Sequence, residues 1–376
     1  MTGPLGGIRI LEFTGIGPGP FCGMMLADHG AEVIRIDRMG PRAAPETPLD
    51  RNRRSICINM KNEKGVALAR RLAKTADGVI EGFRPGVMER LGLGPDELLK
   101  DNPELVYGRM TGWGQYGPYA DRAGHDINYI ALSGVLHGCS RAGEKPVPPV
   151  NYLGDFGGGG MMLAFGMVSA LLAVKNGAKG QVIDCAMTDG SALLSSLIWG
   201  LRNQSLWRDE RGVNLLDTGA PFYDVYETKD EKFVAIGAIE PAFYNILRQR
   251  IGLENEPDFD AQLEQSKWPA LKSRMQAVFH TKTRDEWCAI LEHTDACFAP
   301  VLSMEEAKNH PHNIERETFL DIEGNAQPAP APRYSKTKLE KPKKPAPPGA
   351  DTQTILTDIG VDALEVKALI DSGAIA

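Results

Sequence analysis

The chain has 376 residues, 42% of them hydrophobic and 24% charged, a composition typical of globular proteins rather than of disordered or fibrous ones. This length predicts two domains or one elaborated α/β domain. The formal net charge of -7 argues against nucleic acid or an anionic membrane as the main partner. The six cysteines include no C-x-x-C pair, which predicts reduced thiols and no zinc site.

The N-terminal sequence predicts a βαβ unit. A strand over 8–13 leads through the turn GIGPGPF into a helix over 21–28, and a second strand covers 31–37. The turn lacks the G-x-G-x-x-G pattern, since the third glycine would fall on Pro20 or Cys22, so a dinucleotide is not expected. No other cofactor or metal is expected. The opening MTGPLGGIRILEF does not resemble a secretory signal, so we expect a cytoplasmic protein.

Strands and helices continue to alternate, which predicts a mostly parallel sheet. The longest apolar run, over 161–174, is shorter than the roughly 20 residues of a membrane span, so we expect a buried helix and no membrane partner. In this part of the chain we predict helices over 62–76, 95–100 and 157–174, and strands over 78–81, 105–110 and 181–186.

Charged, loop-like sequence after residue 200 predicts a domain boundary. We predict a large Rossmann-like domain with a parallel sheet and a smaller α+β domain that contains a strand over 233–236. Helices are expected within 242–251 and over 268–279, 284–292, 352–359 and 363–372. The predicted divisions are a large domain over 1–200, completed by 330–376, a linker over 201–225, a small domain over 226–320, and a Pro/Lys-rich return linker over 321–350.

Three side chains are candidates for acid–base chemistry, because each stands beside glycine or proline, where functional groups are commonly displayed. They are His125 in AGHDINY, Asp155 in GDFGGGG and Glu240 in GAIEPAFY. Taken alone, His125 is more simply a histidine bonded to backbone, and Glu240 an exposed acid at a helix start. The glycines after Asp155 suit packing and function about equally, and they predict a helix start whose free N–H groups favour negative charge.

A set of basic residues suits an anionic nucleotide. Several follow the ends of predicted parallel strands, the edge where ligands bind in open α/β sheets. The alternative is solvated surface charge, which describes most arginines. The set comprises Arg38, Arg51, Arg53, Arg54, Lys61, Arg84 and Arg90.

The chain resembles the α-methylacyl-CoA racemases of the family III CoA-transferase superfamily essentially from end to end. The segments that carry the resemblance include GIGPGPFCGMMLADHGAEVIRIDR, GQYGPYADRAGHDINYIALSGVL, NYLGDFGGGGMMLAFG and VAIGAIEPAFY. GHDINY and GAIEPAFY resemble the racemase branch, whereas GDFGGGG resembles the superfamily generally. The resemblance implies an interlocked homodimer and a 2-methyl-branched acyl-CoA substrate whose (R) and (S) forms interconvert through an enolate.

The resemblance also implies roles for individual residues. His125 and Asp155 would exchange protons on the two faces of the substrate α-carbon, and Glu240 would orient His125 from the other subunit. Asp155 must then stay partly protonated near neutral pH, well above its reference pKa of about 3.9. The backbone N–H of Asp126 is a candidate donor to the enolate oxygen. CoA contacts are implied at Arg38, Ile58, Asn59, Met60, Lys61, Gly124, Asp126, Ile127, Asn128 and Tyr129, and the basic pattern adds Arg84.

Two alternatives remain open. In a CoA-transferase, Asp155 would be a nucleophile that attacks an acyl-CoA. A CoA-binding protein without activity would keep the basic residues and need no acid–base pair.

Overall fold

The computed structural model describes residues 3–40 and 45–376 and divides the chain into two compact units. Unit 1 comprises Met1–Ser133, Val150–Leu194 and Phe319–Ala376, and unit 2 comprises Gly134–Pro149 and Ser195–Thr318.

These bounds differ from the predicted divisions at three places, one of which is that unit 1 resumes at Phe319 rather than at residue 330. The sequence predicts that 134–149 belongs to the large domain, but this segment belongs to unit 2. Its Arg141 forms an ion pair with the buried carboxylate of Asp224, with 2.8 Å between Nη2 and Oδ1. Unit 2 also resumes at Ser195, before the predicted linker over 201–225.

Unit 1 contains a six-stranded parallel sheet in the order β3-β2-β1-β4-β5-β6, so the predicted parallel α/β sheet is confirmed. Between β1 and β4 the strand order reverses, and ligands bind at the carboxyl ends of the strands beside such a point. The strands are β1 (Arg9–Phe13), β2 (Glu32–Asp37), β3 (Arg54–Cys57), β4 (Gly78–Glu81), β5 (Val106–Thr111) and β6 (Val182–Ala186).

Helices cover both faces of this sheet. The second helix shows why they form: Leu68 and Leu72 are spaced i, i+4 on its buried face, and the Asn62 side chain caps its start by accepting the Lys64 N–H at 2.9 Å. The first seven α-helices are α1 (Pro18–Asp28), α2 (Glu63–Lys74), α3 (Val87–Arg90), α4 (Pro95–Asp101), α5 (Asp126–Leu132), α6 (Met162–Lys175) and α7 (Met187–Leu194), and a 3₁₀ turn covers Pro48–Asp50.

A π-helix over Tyr152–Met161 runs directly into α6. The predicted helix start at residue 157 is therefore wrong, since the chain is already helical at residue 152. The combined helix has 24 residues and is, by length and composition alone, long and apolar enough to cross a membrane. Core helices of soluble proteins meet the same criterion, and an aspartate, Asp155, lies in the first turn of this one.

Unit 2 contains an antiparallel sheet in the order β7-β8-β9 that packs against three helices. Trp287 is 1% exposed in this core, and its indole N–H donates to the Phe279 carbonyl at 2.8 Å. The elements of unit 2 are β7 (Tyr223–Glu227), β8 (Phe233–Gly237), β9 (Phe298–Val301), α8 (Ser196–Asn203), α9 (Pro241–Arg250), α10 (Trp268–Phe279), α11 (Arg284–Leu291), α12 (Met304–Asn309), α13 (Pro311–Glu315), and 3₁₀ turns over Val135–Gly138, Pro257–Asp260 and Gln265–Lys267.

The C-terminal segment completes unit 1. An antiparallel hairpin of β10 (Phe319–Ile322) and β11 (Asn325–Pro328) occupies the start of the predicted return linker. Helices α14 (Thr352–Asp358) and α15 (Ala363–Asp371) then contribute to the core on the α2 face of the parallel sheet.

Buried ion pairs lie beneath α1. Glu12 and Arg53 are 1% and 4% exposed, with 3.0 Å between Oε2 and Nη1. Burial raises the pKa of Glu12, and the charge of Arg53 lowers it. Arg51 is likewise buried against Asp28. The expectation that Arg51 and Arg53 contact a nucleotide is therefore wrong, because both guanidinium groups form ion pairs with buried carboxylates.

Replacing Arg53 with alanine should destabilise unit 1 by about 3 to 5 kcal/mol, because it leaves the Glu12 carboxylate buried without its cation. The pKa of Glu12 would rise further, so protonation would relieve part of the loss as pH falls. Urea unfolding of parent and variant at pH 8 and pH 5.5 checks this. Arg54→Ala, which breaks a partly exposed pair, is the matched control. An equal loss at both pH values would contradict the prediction.

Candidate active site

A cavity of about 680 Å³ lies in unit 1 at the carboxyl ends of β1, β4 and β5, where the strand order predicts a ligand. It brings together residues that are far apart in the sequence. Those that the sequence analysis names and that line the cavity are Arg38, Arg84, Gly124, His125, Tyr129 and Asp155.

Other predicted site residues lie outside this lining. The Ile58 side chain is 1% exposed, and the Asn59 N–H donates to the Ala374 carbonyl at 2.9 Å, so the C-terminal segment covers this stretch. Asp126 is buried. Glu240 is an exposed residue of unit 2, immediately before α9. The remaining members of this group are Met60, Lys61, Ile127 and Asn128.

His125 occupies the N-cap position of α5 in an extended conformation. Its backbone N–H donates to Oδ1 of Asn128 at 3.0 Å, which fixes the backbone while the exposed imidazole borders the cavity. A capping-box contact between the His125 side chain and the Asn128 backbone agrees with the simpler interpretation of a ring beside backbone, and the ring also faces the cavity.

Asp155 projects from the first turn of the π-helix into the same cavity. Its Oδ2 accepts a hydrogen bond from Asn151 Nδ2 at 3.0 Å, and its backbone N–H donates to Asp126 Oδ1 at 2.7 Å. Gly17, with φ of 71°, lies so close that a Cβ there would be 3.4 Å from Oδ2. The helix begins five residues before the predicted start at residue 157, so Asp155 lies within its first turn rather than ahead of it.

Sequence reasoning missed Asn151. The two residues are spaced i, i+4, and that spacing places side chains on one helical face. A helix predicted from residue 152 rather than 157 would have revealed the pair.

The environment of Asp155 favours its protonated form. Burial is the main cause that raises its pKa above the ordinary value, and the Asp126 carboxylate raises it further, whereas the Asn151 hydrogen bond and the charge of His125 lower it. Burial and the carboxyls of Asp155 and Asp126 raise the pKa of Tyr129 to about 12, so its phenol stays neutral. The cavity thus presents an imidazole and a carboxyl whose pKa is raised, two groups that can accept and donate a proton.

Exposed arginines give the cavity a positive rim. Arg38 and Arg84 line it, and no carboxylate of the described residues pairs with either of them. Arg122, which sequence reasoning missed, also lines the cavity. Guanidinium groups in this arrangement suit phosphate groups. In the same described ranges no group of three or more His, Cys, Asp or Glu side chains is placed to hold a metal ion.

Comparisons with known proteins identify the family of the chain. A sequence model of CoA-transferase family III matches residues 5–352. The chain is 47% identical to alpha-methylacyl-CoA racemase of Mus musculus, covering 97% of this chain and 96% of the relative, and 46% identical to that of Homo sapiens with the same coverage. A CaiB/BaiF family crystal structure from Brucella suis superposes with a TM-score of 0.81 at 23% identity, covering 96% of this chain and 100% of that one.

Replacing Asn151 with leucine should raise the pKa of Asp155 further, because the carboxylate loses its hydrogen-bond donor while burial and the Asp126 charge remain. The Asp155 carboxyl would then keep its proton to higher pH. Carbon-13 NMR titration of the carboxyl, assigned with Asp155→Asn, measures this shift. Asn325→Leu, at an exposed position in β11, should leave the titration unchanged. A lowered midpoint in Asn151→Leu would contradict the assignment.

Proposed function

This chain belongs to CoA-transferase family III, and we propose that it is a racemase that interconverts (R)- and (S)-2-methylacyl-CoA thioesters. The observation that carries the proposal is that His125 and Asp155 line one cavity, where burial favours protonated Asp155. The relatives of nearly equal length that are 46 and 47% identical bear the name of this activity.

Racemisation through an enolate needs two proton carriers and one group that stabilises the negative charge of the enolate oxygen. Neutral His125 takes the α-proton, the electron pair of the broken C–H bond moves into the thioester as an enolate, and protonated Asp155 returns a proton to the opposite face of the carbon. The turnover leaves a charged imidazole and an ionised carboxylate, the state that runs the reverse reaction. The Asp126 backbone N–H is our candidate donor to the enolate oxygen. The proposed reaction uses no cofactor beyond the CoA of the substrate.

The positive rim supports the CoA part of the substrate. Arg38 and Arg84 face the cavity without carboxylate partners in the described chain, so their charge is available to the phosphates of CoA. The predicted contact at Ile58 is wrong for its side chain, which is buried, and the contacts at Asn59, Met60 and Lys61 remain a proposal for the outer part of the nucleotide.

A CoA-transferase is the rival function, since the family is named for CoA transfer and relatives named succinyl-CoA:glutarate CoA-transferase are 27 and 28% identical. A transferase needs Asp155 ionised, because a carboxylate is the nucleophile. The raised pKa of Asp155 suits a proton carrier, and dependence on an acceptor acid is the property that separates the two functions.

We also propose that the protein is a homodimer in which Glu240 orients His125 of the other subunit. Bulky apolar side chains are exposed on one face of α6, where Phe165, Val168 and Leu172 are 73, 39 and 60% exposed. We assign this face to a second copy rather than to a bilayer, because the same continuous helix carries Asp155 and buried glycines at its start.

Incubation of a single-enantiomer 2-methylacyl-CoA in deuterated water tests the proposed reaction. We expect deuterium at the α-carbon and loss of stereochemistry without an acceptor acid, because solvent-exchangeable groups carry the protons. Chiral chromatography and mass spectrometry measure both. Strict dependence on an acceptor acid would instead establish a transferase, and an inert protein would support the silent CoA-binding alternative.

His125→Ala and Asp155→Ala should each reduce racemisation at least about a thousandfold, since one face of the carbon loses its proton carrier. Each variant should still wash the α-proton out of one enantiomer, and the two variants should favour opposite enantiomers. Arg38→Ala is the contrasting variant, with a raised KM and little change in kcat. Full activity in both carrier variants would overturn the two-carrier mechanism.

Coexpression of His125→Ala with Glu240→Ala, on differently tagged chains, tests the shared site. If Glu240 acts across subunits, a mixed dimer has one intact site, and random pairing gives about a quarter of the parent activity. If both residues act within one chain, every site is damaged. Purified mixed dimers without activity, alongside inactive single-variant dimers, would contradict the proposal.

A further inference from the structure

A buried carboxylate connects the two proton carriers. Asp126 follows His125 directly in the chain, is 5% exposed, and accepts the backbone N–H of Asp155 on Oδ1 at 2.7 Å. Its Oδ2 is buried and has no hydrogen-bond partner among the described residues. The Asp126 side chain is therefore positioned by its hydrogen bond to the π-helix and by its place at the start of α5.

The contact is too close to be incidental packing. A Cβ atom at Gly154 would lie 2.5 Å from Asp126 Oδ1 and 3.2 Å from the Asp126 Cα. The residue before Asp155 must therefore lack a side chain for the carboxylate to reach the Asp155 N–H. The distance between the backbones of the two carriers is fixed through this one hydrogen bond.

The same carboxylate places a negative charge beside Asp155. Among the groups that face Asp155, Asp126 raises its pKa, while Asn151 and His125 lower it; the Tyr129 phenol is neutral. The facing residues of α1 are apolar or glycine. The acid in α7, Asp189, raises the pKa of Cys185 and is not among the groups that shift the pKa of Asp155.

We propose that Asp126 is a positioning residue that holds Asp155 at a fixed place relative to His125. The inference rests on the proposed racemase function. Asp126 touches no reacting atom through its side chain; it acts through the carboxyl of Asp155. A purely structural role, such as an acid at the start of a helix, would affect stability without changing the titration of the site.

Asp126→Asn separates charge from geometry, because the amide oxygen can still accept the Asp155 N–H. We expect the pH–rate profile of racemisation to move to lower pH by about one unit, since removal of a like charge lowers the pKa of the proton-carrying pair. Asp96→Asn, at an exposed acid in the first turn of α4, is the matched control and should leave the profile in place. An unmoved profile in Asp126→Asn would contradict the effect of the Asp126 charge on Asp155.

Asp126→Ala removes the acceptor as well. Relative to Asp126→Asn, α-deuteration through the Asp155 face should fall about a hundredfold, because small misplacements of a reacting group have effects of that size. Exchange through the His125 face should fall much less. Each face is identified by the enantiomer whose exchange His125→Ala or Asp155→Ala abolishes. Equal losses on both faces would overturn the positioning role.

Gly154→Ala provides a second, independent variant if Asp126→Ala does not fold. It keeps the charge and pushes the carboxylate away from the Asp155 N–H, so we expect the same face-selective loss. Thermal unfolding of every variant accompanies the assays. Parent protein that exchanges neither enantiomer would overturn the proposed function, and this inference with it, whereas an active parent with unselective variants would overturn the inference alone.

Discussion

The position of Asp155 depends on the close packing of the glycine-rich π-helix against its neighbours. A Cβ atom at Gly158 would lie 2.6 Å from the Ser191 nitrogen in α7, and one at Gly160 would lie 2.8 Å from the Pro18 carbonyl oxygen in α1. Backbone therefore meets backbone on two sides. Any side chain at these positions would push the helix outward and let water reach the carboxyl. Burial, the main cause of the raised pKa of Asp155, thus follows from residues that have no side chain at all.

Charged groups in unit 1 divide into two classes by burial. Arg35, Arg51 and Arg53 are buried and held by carboxylates, and they stabilise the packing around β1, β2 and β3. Arg38 and Arg84 are exposed at the cavity and keep their charge available for a ligand. All of these residues look equivalent in the sequence. Their separation depends on position: Arg35 lies within β2, and Arg51 and Arg53 precede β3. Arg38 and Arg84 follow the carboxyl ends of β2 and β4, where the crevice opens.

Local patterns in the sequence predict much of the fold. The strand over 78–81 and the helix over 268–279 have the predicted bounds, because each is a clear periodic run between turn residues. β3 was not predicted, since its four residues start with an arginine from a basic run and its partner strand lies elsewhere in the chain.

The candidate site was only partly predictable. His125 and Asp155 stand in distinctive motifs. The hydrogen bond from Asn151 depends on where the helix begins, and the hydrogen bond to Asp126 depends on a close approach between distant segments.

The cores of the two units differ in how much of the chain they require. The core of unit 2 lies entirely between Ala220 and Ala296, whereas that of unit 1 also requires Ile355 and Leu369 from the C-terminal helices. During synthesis on the ribosome, unit 2 can therefore fold before the C-terminal helices of unit 1 have been made, and unit 1 is completed later.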